Sequence, residues 1–307
     1  MSGSGGSSLS GRDIEVLRRA ALDEATSAET VAEINHLLDG FLSRVDQRDV
    51  DKVRSALDLL QEVIEDLLED EVRLIFGGSV AKHTYVDGLS DVDALVVLNA
   101  DLFSEDVPSG LVRDFATALR ERLGAEIEDV KHGRMAVTVR FRDGTEVDLL
   151  PAIRRGDHVA IASEDGTQWA DIRPARFARK LQAVNEHLNG RLFKTIKLAK
   201  SILSALPAAR HLTGYHIESL AIEAFEGYQG GQSSRELLQH FVRQAERLVK
   251  SPIRDSTGQS VHVDDYLGAA NSVERRLRAD SLGKLSRRLD TATTLAQWQR
   301  IIEDVEL

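Results

Sequence analysis

The first third of the chain changes from a helical to a strand periodicity. Between positions 49 and 69, apolar residues recur at steps of three and four, which predicts one long amphipathic helix. Upstream, Thr26-Ser-Ala-Glu29 has the form of a capping box and predicts that a helix begins there. The period then shortens: positions 72–76 and 91–98 read as apolar strands, separated by a loop that contains Gly, Ser and Thr.

The middle of the chain continues the strand pattern, and the last part is helical. A helix around 111–123 is followed by strand patterns near 125–130, 135–142, 146–150 and 158–162. Asp143-Gly144 is a strong hairpin signal between two of these strands. From Pro174 onward almost every segment is helical. The pattern predicts an α+β chain: helices, a mixed sheet of about four or five strands, and a helical C-terminal half.

Composition and charge narrow the class of function. Of the 307 residues, 42% are hydrophobic and 29% are charged, as in ordinary globular proteins. The absence of cysteine excludes disulfide frameworks, cysteine-based zinc sites and thiol catalysis. A net charge of −11 with no basic stripe argues against a long nucleic acid as the main partner. No apolar run approaches the ~20 residues that cross a bilayer. The Ser/Gly-rich start has no signal-peptide core, so we expect a flexible leader and a cytoplasmic protein without membrane contacts.

Three aspartates and a Gly-Ser pair form the candidate site. Asp91 and Asp93 are two residues apart at the start of a predicted strand, so their side chains share one face about 6–7 Å apart. The even-numbered positions 92–98 of that strand are apolar, which predicts that its opposite face packs on helices. Asp148 alternates with apolar neighbours on a later strand. Carboxylate oxygens suit Mg²⁺, so the three aspartates predict a site for two Mg²⁺ ions, which Mn²⁺ can replace. Gly78 lets a phosphate approach the backbone, and the Ser79 hydroxyl can donate to it.

The order of these motifs resembles that of the polymerase-beta-type nucleotidyltransferase superfamily. Within it, GGSVAKHTYVDGLSDVDALVVL (77–98) closely resembles the bacterial cGAS/DncV-like nucleotidyltransferases, the CD-NTases of CBASS antiphage systems. The segment 192–200 is similar to the lysine-bearing helix of that family, and 215–218 to its Tyr-His-(Leu/Ile)-Glu helix. The resemblance covers residues 45–270. One departure is Lys82-His-Thr84, where many members have Arg-Gly-Thr or Lys-Gly-Thr.

The resemblance implies both a fold and an activity. The implied fold is a polymerase-beta-like nucleotidyltransferase core, with a mixed sheet and a long N-terminal spine helix, plus a helical C-terminal half. After the Ser/Gly-rich leader (1–12), it implies N-terminal helices with the catalytic core (13–170) and a helical domain that closes the nucleotide cleft (171–307). The implied reaction joins nucleoside triphosphates, ATP among them, into a cyclic di- or oligonucleotide second messenger for antiphage signalling and releases pyrophosphate. Regulatory or effector proteins encoded nearby are the implied partners.

The same resemblance assigns roles to the acidic and phosphate-loop residues. Asp91 and Asp93 would bind both metal ions. Asp148 would bind the ion that activates the attacking ribose hydroxyl, and it is the candidate acceptor of that proton. Gly78 and Ser79 would hold the β- and γ-phosphates of the donor nucleotide.

In the helical half, the resemblance assigns roles to two lysines and a tyrosine. The ammonium groups of Lys197 and Lys194 would reach the donor phosphates, each as a point charge. Tyr215 would stack on the donor base. His216 has no metal-ligand spacing, so we expect a hydrogen-bonded structural role for it.

Other functions remain open at the level of sequence. An RNA-tailing or CCA-adding nucleotidyltransferase would need a basic surface to hold RNA, which a net charge of −11 does not favour. A small-molecule (antibiotic) nucleotidyltransferase is compatible with the acidic composition, because aminoglycosides are cationic. A pseudoenzyme that only binds nucleotide is the third alternative, and retention of all three aspartates argues against it.

Overall fold

The computed structural model describes residues 11–45, 50–68, 73–76, 92–98, 108–125, 127–155, 158–163, 165–255 and 262–306. Its helices are α1 Gly11–Val45, α2 Val50–Leu68, α3 Pro108–Arg122, α4 Pro174–His187, α5 Arg191–Ser204, α6 Gly214–Ala224, α7 Ser234–Leu248, α8 Val273–Thr291 and α9 Leu295–Glu306. Its strands are β1 Arg73–Phe76, β2 Val92–Leu98, β3 Ile127–His132, β4 Val137–Phe141, β5 Glu146–Arg155, β6 His158–Ala162 and β7 Trp169–Ile172. Short 3₁₀ turns lie at Ala208–Arg210 and Asp265–Leu267.

The described strands form one mixed sheet, as the strand pattern predicts, but the sheet has seven strands and the prediction of four or five was too low. The order is β1-β2-β5-β4-β3, and β6 and β7 continue from the second half of β5. Strands β2 and β5 are parallel, and every other described pair is antiparallel. Strand β7 was absent from the predicted set, because four residues are too few to establish an alternating pattern.

The two faces of the sheet differ in what covers them. Helices α2 and α3 pack on one face and bury a large apolar cluster that includes Ala94, Val96 and Leu149. The other face holds a smaller apolar cluster that includes Leu95 and Val97. The alternation of a strand therefore separates the two sets, and the even-numbered positions of β2 face the helices, as predicted.

Strand β5 is longer than its sequence pattern predicts. The prediction ended it at residue 150, but β5 continues through Pro151 to Arg155. On one side β5 pairs first with β4, up to Leu149, and then with β6, from Ala152 onward. Pro151 lies at this change of partner, where the missing N–H group of proline breaks no ladder hydrogen bond.

The hairpin between β4 and β5 has a three-residue loop, Arg142–Gly144. The N–H of Gly144 donates to the carbonyl of Phe141 at 3.0 Å, and the N–H of Phe141 donates to the carbonyl of Thr145 at 2.8 Å. Gly144 has a φ of +89°, the left-handed conformation that closes a type I turn with a one-residue bulge. This loop length sets the register in which β4 and β5 pair.

The helical half has a separate core, and α1 contributes to it. Ile34, Leu38, Phe41 and Leu42 of α1 lie in the apolar cluster of α4–α9. The capping-box prediction was wrong: α1 runs without a break through Thr26–Glu29. No Gly or Pro interrupts the chain between residues 12 and 39, so a single helix continues through the motif. Position 12 of the expected leader is already in α1, residues 1–10 lie outside the described part, and the division at 170/171 stays a prediction.

None of the helices in the described residues has the length and hydropathy needed to cross a membrane.

Candidate active site

The parallel register of β2 and β5 brings two of the predicted aspartate positions together. Position 93 pairs directly with position 148. Paired positions on neighbouring strands lie about 5 Å apart and share a face of the sheet. The face is the one opposite α2 and α3, because Ala94 and Leu149 next to them are buried under those helices. The two strands therefore place one carboxylate position beside another, although 55 residues separate them in the sequence.

Thr138 on β4 orients the Asp148 carboxylate. It pairs with Asp148 across the hairpin, and its hydroxyl donates to Oδ1 at 2.5 Å. Asp148 itself is half-buried between flanking apolar residues, so a fixed partner restricts its rotamer. Thr138 belongs to no motif and was not among the predicted site residues. Its signal is the hairpin loop length, since a three-residue loop places Thr138 opposite Asp148 and a two-residue loop would place Val139 there.

Several of the other predicted metal and phosphate residues are not among those that the structure describes. Gly78, Ser79 and Asp91 are outside the described residues, and Asp93 is described through its backbone. Within the described part of the chain there is no group of three His, Asp or Glu side chains placed to hold a metal ion. The donors that can be placed fit Mg²⁺, because Asp148 offers a half-buried carboxylate, a hard oxygen ligand, beside position 93.

The lysine-bearing helix α5 places its three lysines in different environments. Lys194 is exposed, Lys197 is half-buried, and Lys200 is buried. The Lys200 ammonium donates to Oε1 of Glu218 on α6 at 3.0 Å, and Glu218 is only 1% exposed. The charge of Lys200 is therefore neutralised by Glu218 in the interior of the protein. Of the other two lysines of this helix, Lys194 is exposed to solvent and Lys197 is only partly exposed.

Tyr215 lies in the first turn of α6, beside the lysine-bearing helix. A side-chain carbon added at the preceding Gly214 would lie 3.4 Å from the Lys200 ammonium nitrogen, so α5 and α6 meet closely here. The Tyr215 ring packs against Phe177 of α4, with ring centroids 4.7 Å apart, and its hydroxyl donates to Oδ1 of Asp255 at 2.8 Å. Its predicted contact with a nucleotide base stays a prediction. No local sequence signal points to Asp255, which lies 40 residues away from Tyr215 in the chain.

His216 has the structural role that the sequence analysis expected. It is fully buried, the Tyr266 hydroxyl lies 2.9 Å from its Nδ1, and its Nε2 is 3.4 Å from Oδ2 of Asp264. Burial lowers the pKa of His216 to about 4, with Arg275 and Arg278 adding to the effect and Asp264 opposing it. The ring is therefore neutral, with Nδ1 accepting from Tyr266. Loss of hydration at the Tyr266 hydroxyl raises the pKa of that tyrosine.

Curated relatives of the chain are nucleotide-transferring enzymes. No family model matches the chain. It is 28% identical over 206 residues to the CCA-adding enzyme of Thermococcus gammatolerans, a match that covers 62% of this chain and 42% of that enzyme. It is 32% identical over 129 residues to the cyclic AMP-AMP-AMP synthase of Escherichia coli MS 115-1, covering 38% of this chain and 40% of that synthase. The chain thus spans less than half the length of these curated relatives.

Solved structures match nearly the whole fold. The CD-NTase CdnG of Bradyrhizobium diazoefficiens, in complex with GTP, superposes with a TM-score of 0.71 at 14% identity, covering 89% of this chain and 97% of CdnG. CdnC of E. coli MS115-1 superposes with a TM-score of 0.63 with ATP and 0.66 in a complex with HORMA. Both CdnC matches are 19% identical and cover 86–87% of this chain and 96–97% of CdnC. The chain therefore has the fold of the CD-NTases, which confirms its resemblance to the cGAS/DncV-like nucleotidyltransferases.

Proposed function

We propose that the protein is a metal-dependent nucleotidyltransferase that joins nucleoside triphosphates into a cyclic di- or oligonucleotide second messenger. The observation that carries the proposal is the register that pairs Asp93 with Asp148, on a fold shared with a CD-NTase that binds GTP. The relative named as a cyclic AMP-AMP-AMP synthase supports ATP as one of the substrates. A role in antiphage signalling and a cytoplasmic location are further parts of the proposal.

In this proposal the carboxylates hold the reacting groups at the face of the sheet opposite α2 and α3. Asp91, Asp93 and Asp148 would hold two Mg²⁺ ions, with Mn²⁺ as the substitute. When bound, such ions supply charge stabilisation for the attacking and leaving oxygens. Thr138 donates to Oδ1 of Asp148, and no described residue donates to Oδ2, so we assign the reaction to Oδ2.

The reaction is a displacement at the α-phosphate of the donor nucleotide. A ribose hydroxyl oxygen forms the new bond to phosphorus while the bond to pyrophosphate breaks. The hydroxyl proton passes to Oδ2 of Asp148. Gly78 and Ser79 would bind the β- and γ-phosphates from the core, and Lys194 and Lys197 would bind them from the helical half. Tyr215 would stack on the base, a contact worth about 1–3 kcal/mol.

A CCA-adding activity is the second candidate, because the chain is 28% identical over 206 residues to such an enzyme. That reaction uses the same donor and the same carboxylates but attacks with the 3′ end of a tRNA. A net charge of −11 disfavours a long RNA acceptor, since phosphate contacts supply most of the affinity. We therefore place cyclic oligonucleotide synthesis first.

The test is product analysis with matched carboxylate variants. The purified protein is incubated with all four ribonucleoside triphosphates and Mg²⁺ or Mn²⁺, treated with phosphatase, and analysed by mass spectrometry. Asp148→Asn and the double variant Asp91→Ala/Asp93→Ala remove the proposed ligands. Asp129→Asn is the control, because Asp129 is an aspartate on β3 of the same sheet and pairs with Lys131 at 3.0 Å on the surface. A parallel reaction contains a tRNA that lacks its CCA end.

The outcomes separate the candidates. A phosphatase-resistant cyclic product from the wild type and from the Asp129 variant, but not from the site variants, supports the proposal. Extension of the tRNA without a cyclic product supports the CCA-adding candidate. Nucleotide binding with no product in the presence of both metals would support a non-catalytic nucleotide-binding protein and refute both.

Regulation by a partner protein is part of the proposal as well. The complex of CdnC with HORMA shows that a protein of this fold associates with a second protein. We propose that a protein encoded nearby plays a comparable part here. Adding such a protein to the product assay and measuring the rate of synthesis tests this.

A further inference from the structure

The segment between α7 and α8 contacts the first turn of α6 at two points. It is described at residues 249–255 and 262–272. Asp255, in its first part, accepts the hydrogen bond from the Tyr215 hydroxyl. Tyr266, in its second part, contacts His216 and also accepts from the N–H of Thr213 at 3.3 Å. The segment therefore holds the turn that carries Tyr215 on both sides of that residue.

The contacts of Tyr215 fix its ring in one orientation. One contact is to the Phe177 ring, which is buried in the core of the helical half. The other is to the Asp255 carboxylate, which is only 7% exposed. A hydrogen bond from a hydroxyl to a buried carboxylate is stronger than one between neutral groups, because the acceptor is charged and shielded from water. Because the Tyr215 ring packs against Phe177 and its hydroxyl donates to Asp255, the side chain has little rotational freedom.

Asp255 is in turn anchored to the rest of the helical half. Two residues earlier, the N–H of Ile253 donates to Oδ1 of Asp264 at 3.0 Å, and Arg254 forms a β-bridge with His262. The guanidinium of Arg275 on α8 donates to Oδ2 of Asp264 at 2.5 Å. Both Asp264 and Arg275 are fully buried. These contacts of its neighbours therefore fix the position of Asp255 relative to α8.

Arg275 closes the segment at both ends. Its guanidinium donates to the carbonyls of Val249 and Ser251 near the start, and to those of Asp264 and Gly268 near the end. All of these distances lie between 3.0 and 3.2 Å. A buried arginine whose three guanidinium nitrogens all have hydrogen-bond acceptors is a rigid support. The described parts of the segment thus form a rigid connection between α8 and the first turn of α6.

We infer that Asp255 is a positioning residue, which orients Tyr215 for contact with a nucleoside triphosphate. This inference rests on the proposed function, because it takes Tyr215 as part of the nucleotide cleft. Asp255 acts only through Tyr215, by holding its hydroxyl, and does not touch the nucleotide. Loss of the hydrogen bond frees the ring to rotate, which weakens binding while the carboxylate site on the sheet is unchanged.

The experiment measures nucleotide binding apart from turnover. The full chain is titrated by calorimetry with the α,β-methylene triphosphates of A, C, G and U in the presence of Mg²⁺. The variants are Tyr215→Phe, Asp255→Ala, Asp255→Asn and the double variant Tyr215→Phe/Asp255→Ala. Tyr228→Phe is the control, because the Tyr228 hydroxyl donates at 2.7 Å to the carbonyl of Gly231 in a surface turn. Thermal unfolding is recorded for each variant.

The expected pattern is a loss of affinity that is shared by the two partners. Tyr215→Phe and Asp255→Ala should each raise the dissociation constant about tenfold, since each removes a hydrogen bond to a charged group. The double variant should be no weaker than either single one, because both remove the same contact. Asp255→Asn keeps an acceptor and should stay within about threefold of the wild type. In steady state the loss should appear in KM with kcat nearly unchanged.

Two results would overturn the inference. One is a Tyr215→Phe variant that binds nucleotide as tightly as the wild type. The other is an Asp255→Ala variant that has a lower melting temperature but full affinity, which marks a structural role alone. If Asp255→Ala does not fold, Tyr215→Phe decides. The expected binding pattern in a protein that makes no product would keep the inference and refute the proposed synthesis. A cyclic product that depends on Asp148, with unchanged nucleotide binding in the Tyr215→Phe variant, would keep the proposed synthesis and refute the inference about Asp255.

Discussion

Replacing His216 with glutamine should change how the stability of the protein depends on pH. In the fold His216 is fully buried and neutral, with a pKa of about 4 instead of 6.5. Among the described residues, four titratable or charged groups face it. Asp264 and Tyr266 come from the segment between α7 and α8, and Arg275 and Arg278 come from α8. The unfolded chain has a solvated imidazole, which protonates near its ordinary pKa.

The pKa difference sets both the sign and the size of the effect. Because the pKa of His216 is lower in the fold, the unfolded chain binds more protons between pH 4 and 6.5. The contribution to stability is therefore complete above pH 6.5 and is lost as the pH falls toward 4. With these two pKa values, about 2 kcal/mol of unfolding free energy is lost between pH 7 and pH 5.

Urea unfolding at pH 7, 6, 5.5 and 5 measures this loss in the wild type and in His216→Gln. Glutamine keeps a hydrogen-bonding side chain but does not titrate. The variant is less stable at pH 7, because the imidazole packs in a closed site, but its stability should fall about 2 kcal/mol less than that of the wild type on going to pH 5. His211→Gln, at an exposed histidine, is the control.

The result that would refute this reasoning is a parallel decline of wild type and His216→Gln over the whole range. An NMR titration that gives His216 a pKa near 6.5 in the folded protein would contradict it as well. Carboxylates that titrate below pH 5 affect both proteins, so the difference between the two curves isolates His216.

Other substitutions test the site and its supports. Thr138→Val should reduce product formation about tenfold with little loss of folding, because it removes the hydrogen bond that orients Asp148, and Thr138→Ser should restore the rate. Either Lys200→Met or Glu218→Gln should cost about 3–5 kcal/mol in urea unfolding, whereas Lys200→Met/Glu218→Leu together should cost much less, since no unpaired charge stays buried. Gly144→Ala should lower the free energy of unfolding by about 1 kcal/mol, because alanine is strained at the positive φ of this position. The space around Gly144 is open, so no steric clash adds to this cost. An unchanged melting temperature would contradict the prediction.

Local patterns in the sequence predicted most of the elements. The alternation of β2 predicted which of its residues face the helices, because successive residues of a strand point to opposite faces. The apolar spacing predicted α2 and the helical half from Pro174 onward. Signals for the end of an element were wrong at two places where the flanking residues continue the same helix or strand. The capping box at Thr26 lies inside a helix, and Pro151 lies inside a strand, because their surroundings satisfy the backbone without a break.

The residues of the candidate site could be predicted from the sequence, but their contacts could not. Asp93 and Asp148 could be proposed from the sequence, since motif and alternation are local. Their pairing in register is a property of the parallel β2–β5 contact, which no local pattern specifies. Thr138 joins the site through the length of one hairpin loop.

The sequence by itself determined which side chains of each strand and helix are apolar, and therefore which faces must be buried. It also carried the aspartate motif, because a motif is a spacing along the chain. Only the tertiary structure decided that Lys200 is neutralised by Glu218 while Lys197 stays half-buried, and that Asp255 holds Tyr215. These contacts join residues 18 and 40 positions apart. They form because each buried polar group needs a partner, and the packing of the helices determines which partner is within reach.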